Sequence, residues 1–418
     1  MRVLLAVSRH PWPPRRGDQV RALQLARALA GLGHEVTLLA PEGPGPAGPR
    51  PEGAGAGPGE TGVPGDGPPG VERVEIEPGV ALATYRVTRG SAVPGVLAAG
   101  VRGRPLQSGL FQQRDLARRL RELAPAADLV VLQLVRLAGY LDDVGETPLV
   151  VDLIDSLSLN LSRRAAHDRL LAAPLLGWES RRLLAWERRM LERARAGLLV
   201  AERDRAWLAE RLPSELAEKL AVVPIAIPAP PTGEGRAAPA SSPARLVITG
   251  NLGYFVNADA VNWWIRDVWP LVRRARPDLE LVLAGARPRG RVRRAATTPG
   301  VRLLDTPPDL GAVLRSADVA LAPTRAGSGV PIKVLEAWSA GVPVVASRWA
   351  AAGAAGRPDR DLLVAETPAE WREAILRLLA DPPLRDRLVR AARRRVEEEH
   401  GEEAVRRAVG EVLRRVED

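Results

Sequence analysis

Short apolar runs alternate along the chain with longer segments in which leucine and alanine recur at helical spacing. In the first half we interpret these runs as buried parallel strands at residues 2–8, 80–87, 129–134 and 148–154, with two more at "HEVTLLA" and "AGLLVA". Helices are expected at about 19–31, capped by Asp18, and at 175–196. This alternation is typical of a doubly wound parallel sheet, and thus of the α/β class.

The same rhythm restarts near residue 245. Strands are predicted at "RLVITG", "ELVLAG", "VRLLD", "VALAP" and "VPVVAS", and helices at 258–275, 309–316 and 332–340. The tail from Glu370 onward is expected to be helical and strongly charged. Two α/β halves of similar size follow one another, which predicts two Rossmann-like domains.

The domain boundaries follow from composition. We predict an N-terminal domain over 1–227, a linker over 228–244, a C-terminal domain over 245–395 and a terminal helix over 396–418 that could pack back on the N-terminal domain. Residues 41–70 are nearly all Gly, Pro, Ala and Glu, which predicts a flexible insertion. The linker "PAPPTGEGRAAPASSPA" carries no apolar periodicity.

Charge and composition narrow the classes of partner. The chain of 418 residues has a net charge of +10 and no cysteine, so it holds no disulfide and no thiolate metal site. Its arginines are interleaved with acidic residues, as in "RDLARRLREL", which is typical of solvated helix faces. Three Tyr and two Phe offer few platforms for stacking bases, so we expect no nucleic acid as partner.

The distribution of apolar residues also predicts where in the cell the protein is found. We expect neither a signal peptide nor a segment that spans a bilayer. A cytoplasmic protein is therefore predicted. Peripheral contact with the inner face of a membrane, through the basic amphipathic helix at 178–196, stays open beside the alternative that this helix packs its leucines and tryptophans into the core.

The stretch "AGSGVPIKVLEAWSAGVPVVAS" holds Lys333, one of only two lysines in the chain. A strand here runs through a glycine-rich turn into a helix, and the first N–H groups of a helix attract anions because they lack internal partners. Gly327 and Gly329 allow backbone to approach an anion closely. Lys333 adds a full charge, and Glu336 can accept two hydroxyls of a ribose. The pattern predicts a nucleoside diphosphate site; the alternative is a tight turn beside a Lys–Glu surface pair.

This stretch resembles the donor-binding segment of the GT-B glycosyltransferases, particularly the retaining family-4 (group 1) enzymes. Their pattern is E-x7-E followed by A-x-x-x-G-x-P-V-V, and "GNL" and "GLGHEVTLL" add support. The resemblance implies two Rossmann-like domains that face each other across a cleft, and a nucleotide-sugar-dependent glycosyltransferase. The second Glu of the pattern corresponds to Glu336. The first falls on Ser328, which marks a variant subgroup with altered handling of the donor sugar.

The donor site implied by the resemblance comprises residues from two turns. They are Gly250, Asn251, Gly253, Gly327, Ser328, Gly329, Val330, Pro331, Ile332, Lys333 and Glu336. No metal and no cofactor other than the nucleotide-sugar substrate is implied. Because the departing diphosphate would help take the acceptor's proton, Lys333 and the amides of Gly329 and Val330 would stabilise the growing charge. For the loop at Gly250, a plain strand-to-helix turn is the alternative.

The first half supplies the remaining candidates, beginning with the loop after the first strand. Family resemblance places Gly17 against the diphosphate and acceptor, and Arg16 and Arg21 could add charge there. His10 lies near the carboxyl end of a strand, where open α/β sheets bind ligands, although a lone His is more often structural.

A second candidate segment is "VVDLIDSLS". It places Asp152 and Asp155 at the end of another strand, where one of them could orient an acceptor hydroxyl. Capping of a helix by Asp155 or Ser156 is the alternative. Together with Lys333, Gly17 and His10, Asp155 completes the set of catalytic candidates.

The function expected from these observations is transfer of a sugar from a UDP- or GDP-sugar to a saccharide or lipid-linked acceptor. The resemblance implies retention of configuration, no metal, and a role in assembly of cell-surface polysaccharide or glycolipid. Two alternatives stay open: a nucleotide-sugar epimerase of the same fold, and a nucleotide-sugar-binding subunit without catalysis.

Overall fold

The computed structural model describes residues 1–12, 14, 16–43, 74–88, 92–167, 173–228, 243–325 and 329–417. Most of the insertion predicted at 41–70 and of the linker predicted at 228–244 lies outside these residues. The chain divides into two compact units. The first comprises Met1–Ile225 with Val405–Asp418, and the second comprises Ala226–Ala404.

The first unit is built on a sheet with eight strands in the described residues. They are β1 (Arg2–Ala6), β2 (Glu35–Pro41), β3 (Val74–Glu77), β4 (Val80–Tyr85), β5 (Leu129–Gln133), β6 (Leu149–Ile154), β7 (Ala196–Leu199) and β8 (Leu220–Val222). Their order is β3-β4-β2-β1-β5-β6-β7-β8, and the pairing is parallel except between β3 and β4. The apolar runs predict six of the parallel strands correctly but not the short strand β8; β3, whose residues are exposed or half-buried, also lacks such a run.

Helices and 3₁₀ turns connect these strands. The helices are α1 (Gly17–Gly31), α2 (Ala92–Val101), α3 (Arg114–Leu123), α4 (Leu157–His167), α5 (Ala173–Arg193), α6 (Glu202–Ala209) and α7 (Ser214–Ala217). The 3₁₀ segments are Leu106–Phe111, Ala124–Ala126 and Val135–Val144.

The start of α1 differs from the sequence-based expectation. Asp18 lies inside the first turn of the helix, Arg16 occupies the N-cap position, and no side chain caps the helix. The Asp18 carboxylate instead accepts a hydrogen bond from the guanidinium of Arg9. The prediction that Asp18 caps the helix was therefore wrong, because Arg9 binds its carboxylate in the fold.

Helix α5 contributes its apolar face to the core of the first unit. Leu183, Trp186 and Met190 are buried and belong to the same cluster as the sheet residues. These side chains are the ones that make the helix amphipathic. They pack into the core, as the alternative to membrane contact predicted.

The second unit is built on a parallel sheet with six strands in the described residues. They are β9 (Arg245–Thr249), β10 (Glu280–Gly285), β11 (Val301–Asp305), β12 (Val319–Ala322), β13 (Val344–Ala346) and β14 (Leu363–Val364). Their order is β11-β10-β9-β12-β13-β14. Each of the five pairings is parallel.

The helices of the second half follow the predicted rhythm. They are α8 (Phe255–Trp263), α9 (Trp269–Ala275), α10 (Gly290–Ala295), α11 (Leu310–Arg315), α12 (Ile332–Ser339), α13 (Arg348–Gly353), α14 (Pro368–Ala380), α15 (Pro382–His400) and α16 (Glu402–Glu417). The single helix expected at 258–275 contains a π-helical turn, Trp264–Val268, between α8 and α9. Pro270 is the second residue of α9, and the wider π-helical turn before it accommodates its missing N–H.

The terminal helix α16 belongs from Val405 onward to the first unit. The guanidinium of Arg195, just before β7, donates a hydrogen bond to the carbonyl of Val416. Val405, Val409 and Val416 are buried. Among the helices in the described residues, none is long and apolar enough to cross a membrane.

Candidate functional site

The strand order of the second sheet reverses at β9, whose neighbours are β10 and β12. In open α/β sheets, ligands bind outside the carboxyl ends of the strands at such a reversal. Gly250 follows β9, and Thr324 follows β12 after one proline. Gly250 and Thr324 therefore lie at the carboxyl edge of the sheet beside this reversal.

Glycine residues line this edge because backbone segments pass very close to one another there. Gly250 has φ 132° and Gly285, at the end of β10, has φ 155°. A Cβ atom on Gly285 would lie 1.7 Å from the carbonyl oxygen of Gly250, and one on Gly253 would lie 2.5 Å from that of Arg287. Only glycine fits such approaches.

Lys333 extends from the start of α12 to the turn that follows β9. Its Nζ donates a hydrogen bond to Oδ1 of Asn257 over 2.8 Å and a longer one, 3.4 Å, to Oγ1 of Thr324. A Cβ atom on Gly250 would lie 3.5 Å from the same Nζ. An ammonium has three N–H groups, and two have acceptors among the described residues, so the third can bind an anion.

Asn257 is itself held in place by the turn. Its Nδ2 donates to the carbonyl of Asn251 over 2.9 Å, while Oδ1 of Asn251 accepts from the amide of Gly253 over 3.1 Å. The predicted ligand Asn251 therefore uses its side chain to shape the turn. We call the group Gly250, Asn257, Thr324, Lys333 and Glu336 the lysine cradle.

Burial controls the electrostatics of the lysine cradle. Lys333 and Glu336 are both half-buried. Desolvation lowers the pKa of the Lys333 ammonium to about 8, against the opposing attraction of Glu336. The pKa of the Glu336 carboxyl is raised by burial, an effect that Lys333 partly offsets. At neutral pH the Lys333 side chain is mostly protonated. Glu336 neutralises its charge only in part, so an added anion is favoured.

The segment before α12 is partly outside the described residues, which resume at Gly329. Gly327 and Ser328 lie in the excluded part. Gly329 has φ 70°, a conformation that favours glycine. The amide of Ile332 donates to the carbonyl of Val330 over 2.9 Å, so this N–H has a partner within the chain, and Ile332 stays a predicted residue of the donor site. Pro331 takes the N-cap position of α12.

Two polar residues that the sequence did not single out position Thr324 and Lys333. The hydroxyl of Ser347, at the end of "VPVVAS", donates to the carbonyl of Thr324 and accepts from the amide of Ala350. Asn257 is the other, seven residues beyond Gly250. Ser347 could have been found in the sequence, because it is a polar residue at the end of a buried strand. No sequence signal points to Asn257, because a helix brings it to the site.

In the first unit, Arg21 and Asp152 form a fully buried ion pair, with both side chains 0% exposed. Their atoms Nη2 and Oδ1 are 3.3 Å apart, and Arg21 also donates to the carbonyl of Pro224 over 2.8 Å. This corrects the prediction that they face an acceptor. The pair joins α1 to β6 inside the fold, where it has a structural role.

The loop between β1 and α1 carries three further candidates. Gly17 is the first residue of α1, and Arg16 precedes it at the N-cap position with an exposed side chain. The Nδ1 atom of His10 lies 2.9 Å from the carbonyl oxygen of Pro41. That contact anchors the ring to β2 and accords with the structural alternative for His10.

The segment after β6 favours the alternative of a helix cap. The hydroxyl of Ser156 accepts from the amide of Leu159 over 3.2 Å, so Ser156 rather than Asp155 caps α4. Beneath it lies Glu187 of α5, which accepts hydrogen bonds from Ser158 and Ser156 and is 0% exposed. Burial raises the pKa of Glu187 to about 7. Asp155 stays beside this cluster as an acceptor-side candidate.

Comparisons with known proteins agree with the two-domain architecture. Residues 243–381 match the family model described as "Glycosyl transferases group 1". No curated protein matches the sequence. Sucrose-phosphate synthase from Thermosynechococcus elongatus is similar in structure, with a TM-score of 0.69, 16% identity, and coverage of 100% of this chain and 99% of that one.

Two further solved structures are similar over almost the whole chain. The UDP-forming α,α-trehalose-phosphate synthase from Burkholderia vietnamiensis has a TM-score of 0.63 and 15% identity, covering 99% of this chain and 100% of its own. The Anabaena protein HepE, in complex with UDP, has a TM-score of 0.61 and 12% identity, with coverage of 99% and 100%.

These likenesses confirm the predicted fold class, two Rossmann-like domains of the GT-B type. The matched segment 243–381 contains all five residues of the lysine cradle. The family match therefore confirms the predicted enzyme class, a glycosyltransferase, for the domain that holds the cradle.

Proposed function

We propose that the protein transfers a sugar from a nucleoside diphosphate sugar to a saccharide or lipid-linked acceptor, with retention of configuration. The observation that carries this proposal is the Lys333 ammonium, held by Asn257 and Thr324 beside Gly250 at the reversal of the second sheet. A diphosphate suits this arrangement because it supplies the anion for the lysine and tolerates the close backbone.

The donor nucleotide is proposed to be uridine-based. The solved structures support this choice, since one relative is described as UDP-forming and another contains UDP. Glu336, one helical turn beyond Lys333, is the residue we propose for the ribose hydroxyls. Burial raises the pKa of the Glu336 carboxyl, and in its ionised form both of its oxygens can accept hydrogen bonds from the two hydroxyls.

Chemistry at the cradle would rest on charge stabilisation. As the bond between sugar and diphosphate breaks, negative charge grows on the leaving phosphate, and Lys333 is positioned to stabilise it. The proposed retaining mechanism of family 4, without a metal, draws on the resemblance of "KVLEAWSAGVPVVAS". So does the proposed role in assembly of cell-surface polysaccharide or glycolipid.

Binding of nucleoside diphosphates tests the donor site directly. We expect UDP to raise the melting temperature of the protein, because a ligand that binds only the folded state stabilises it. Lys333→Ala should abolish that rise. The only other lysine is the matched control: Lys219 donates to the carbonyls of Leu191 and Ala194, so Lys219→Ala should retain UDP binding. Equal UDP binding by wild type and Lys333→Ala would contradict the proposal.

Product analysis separates the transferase from its two alternatives. An epimerase would convert the donor sugar without an acceptor, and a binding subunit would bind UDP without turnover. Transfer is shown by acceptor-dependent release of UDP that disappears in Lys333→Ala. The anomeric configuration of the product, measured by NMR, tests retention.

A lipid-linked acceptor would require contact with a membrane, and we propose a surface for it on the first unit. Leu97 and Val101 of α2 are 67% and 91% exposed, and Leu175 of α5 is 55% exposed. Arg182 connects the two helices, since it donates to the carbonyl of Gly100 and lies 3.5 Å from the ring centroid of Trp178. Exposed apolar and basic side chains together favour anionic lipid surfaces.

Co-sedimentation with vesicles that contain anionic lipid tests this surface. Val101→Asp should reduce the bound fraction because a carboxylate opposes both insertion and the surface charge. Val74→Asp, at an exposed apolar position in β3, is the control and should leave binding unchanged. Absence of vesicle binding by wild type would remove the membrane from the proposal.

A further inference from the structure

A guanidinium without a full set of partners lies at the carboxyl edge of the first sheet. Arg136 is in the 3₁₀ segment Val135–Val144, which follows β5. Its Nε donates to Oε1 of Gln107 over 3.4 Å, but its buried Nη1 has no hydrogen-bond acceptor among the described residues. A buried donor without an acceptor is destabilising, and more so when the group is charged.

The surroundings of Arg136 are rich in positive charge. Its guanidinium lies 4.9 Å from the centroid of the Phe111 ring, and that of Arg9 lies 5.9 Å from the same centroid. Burial and the charges of Arg9 and Arg16 lower the pKa of Arg136, while Asp18 and Asp155 oppose them. Two carboxylates thus act on a cluster of three arginines, and one of them, Asp18, pairs with Arg9.

This cluster occupies the reversal point of its sheet. The neighbours of β1 are β2 and β5, so the strand order changes direction between β1 and β5. Arg9 follows β1 and Arg136 follows β5. Leu134 has φ 73° and Ile154, at the end of β6, has φ 65°. Such strain in residues other than glycine is concentrated at functional sites, and open sheets bind ligands at this point.

We propose that Arg136, with Arg9, binds an oxyanion of the acceptor, a phosphate or a carboxylate, at the carboxyl edge between β1 and β5. A planar guanidinium suits either group because its N–H donors match two oxygens. The inference rests on the proposed function only in assigning this anion to the acceptor. The anion site itself is independent of the lysine cradle, which lies in the other unit.

The experiment measures binding of inorganic phosphate and of acetate to the full chain, at constant ionic strength with chloride as the reference anion. Thermal shift gives the affinity of each anion for wild type, Arg136→Gln, Arg136→Lys and Lys333→Ala. Arg211→Gln is the matched control, since Arg211 also lies over an aromatic ring, 4.1 Å from the centroid of Trp207.

We expect one of the two anions to bind, and Arg136→Gln to weaken it by about tenfold or more. Arg136→Lys should bind with intermediate affinity, because lysine keeps the charge but loses the paired N–H donors of the guanidinium. The binding that depends on Arg136 should persist in Lys333→Ala, and Arg211→Gln should bind as wild type does. The preferred anion then tells whether the acceptor carries a phosphate or a carboxylate, and tighter binding of a sugar with that group links the site to the acceptor.

Three results would overturn the inference: no binding of either anion by wild type, equal binding by Arg136→Gln, or loss of binding in Lys333→Ala alone. The last would place the anion in the lysine cradle. Failure of the proposed function looks different, since UDP binding would then be absent while anion binding still depended on Arg136. If Arg136→Gln does not fold, the comparison of Arg136→Lys with wild type decides.

Discussion

Lys333 and Asn257 are 76 residues apart in the chain and 2.8 Å apart at their polar atoms. Asn257 is hydrogen-bonded to the turn after β9, and Lys333 is the second residue of α12, the helix after β12. This hydrogen bond therefore joins the two segments that meet at the reversal of the second sheet. It fixes the direction of a charged side chain that would otherwise be flexible.

Removal of the Asn257 amide should weaken donor binding. Hydrogen bonds to charged groups contribute about 1.5–3 kcal/mol, so we expect Asn257→Ala to reduce the affinity for UDP by roughly ten- to a hundredfold. Calorimetric titration measures the change. Asn262→Ala, on the same helix, is the control, and a similar loss there would point to a general defect of the helix.

Binding of UDP should depend on the protonation of Lys333. Its pKa is about 8, so the ammonium is lost above that pH. A bound diphosphate favours the charged form, and the affinity should therefore fall about tenfold for each pH unit above 8. The second pKa of a phosphate is about 6, so UDP itself keeps its charge over this range. Titrations in buffers of different ionisation enthalpy should also detect proton uptake near pH 8. A flat profile would show that Lys333 does not contact the diphosphate.

The glycine at the end of β10 should be more sensitive to substitution than another glycine of positive φ. In Gly285→Ala the new Cβ would meet the carbonyl of Gly250 at 1.7 Å, so backbone must move. We expect a loss of about 3 kcal/mol or more in the free energy of unfolding, measured by urea denaturation. Gly290→Ala keeps a positive φ but meets nothing within 4 Å, and should lose about 1 kcal/mol. Equal losses would argue against the close approach.

Stability of the first unit should decrease as pH rises through the titration of Glu187. Burial raises its pKa in the folded state from 4.5 to about 7, so the folded protein binds more protons than the unfolded chain between these values. The favourable contribution is complete below pH 4.5 and lost as pH rises past 7. Its size is on the order of 3 kcal/mol.

Denaturation with urea on either side of this window tests the prediction. Glu187→Gln should remove most of the pH dependence, because the amide cannot ionise and its oxygen can still accept from Ser158. Glu192→Gln, on the same helix and paired with Arg188 at the surface, should retain it. If both variants behave as wild type, Glu187 does not titrate in this range.

Most strands and helices of both units could be predicted because each depends on local periodicity, whereas the short strands β3, β8 and β14 were not predicted. After their first residue, "RLVITG" and "ELVLAG" are apolar except for Thr249, as expected of strands covered on both faces. Asp18 shows the limit of such reasoning. A carboxylate before a helical run predicts a helix cap, but in the fold the Asp18 carboxylate accepts a hydrogen bond from Arg9 instead. The buried state of Arg21 and Asp152 was equally hidden, since neither residue reveals its partner 131 positions away.

By itself the sequence determined the α/β class, the two halves and the place of Lys333 at the start of a helix, because hydrophobic period, turn chemistry and helix position are encoded in neighbouring residues. Tertiary structure alone decided that Asn257 and Thr324 hold this lysine, that Arg21 and Asp152 neutralise each other, and that Arg136 and Arg9 both lie near the ring of Phe111 at a reversal point. Those relationships depend on which strands become neighbours. Strand order is an outcome of packing over the whole domain, and no local pattern specifies it.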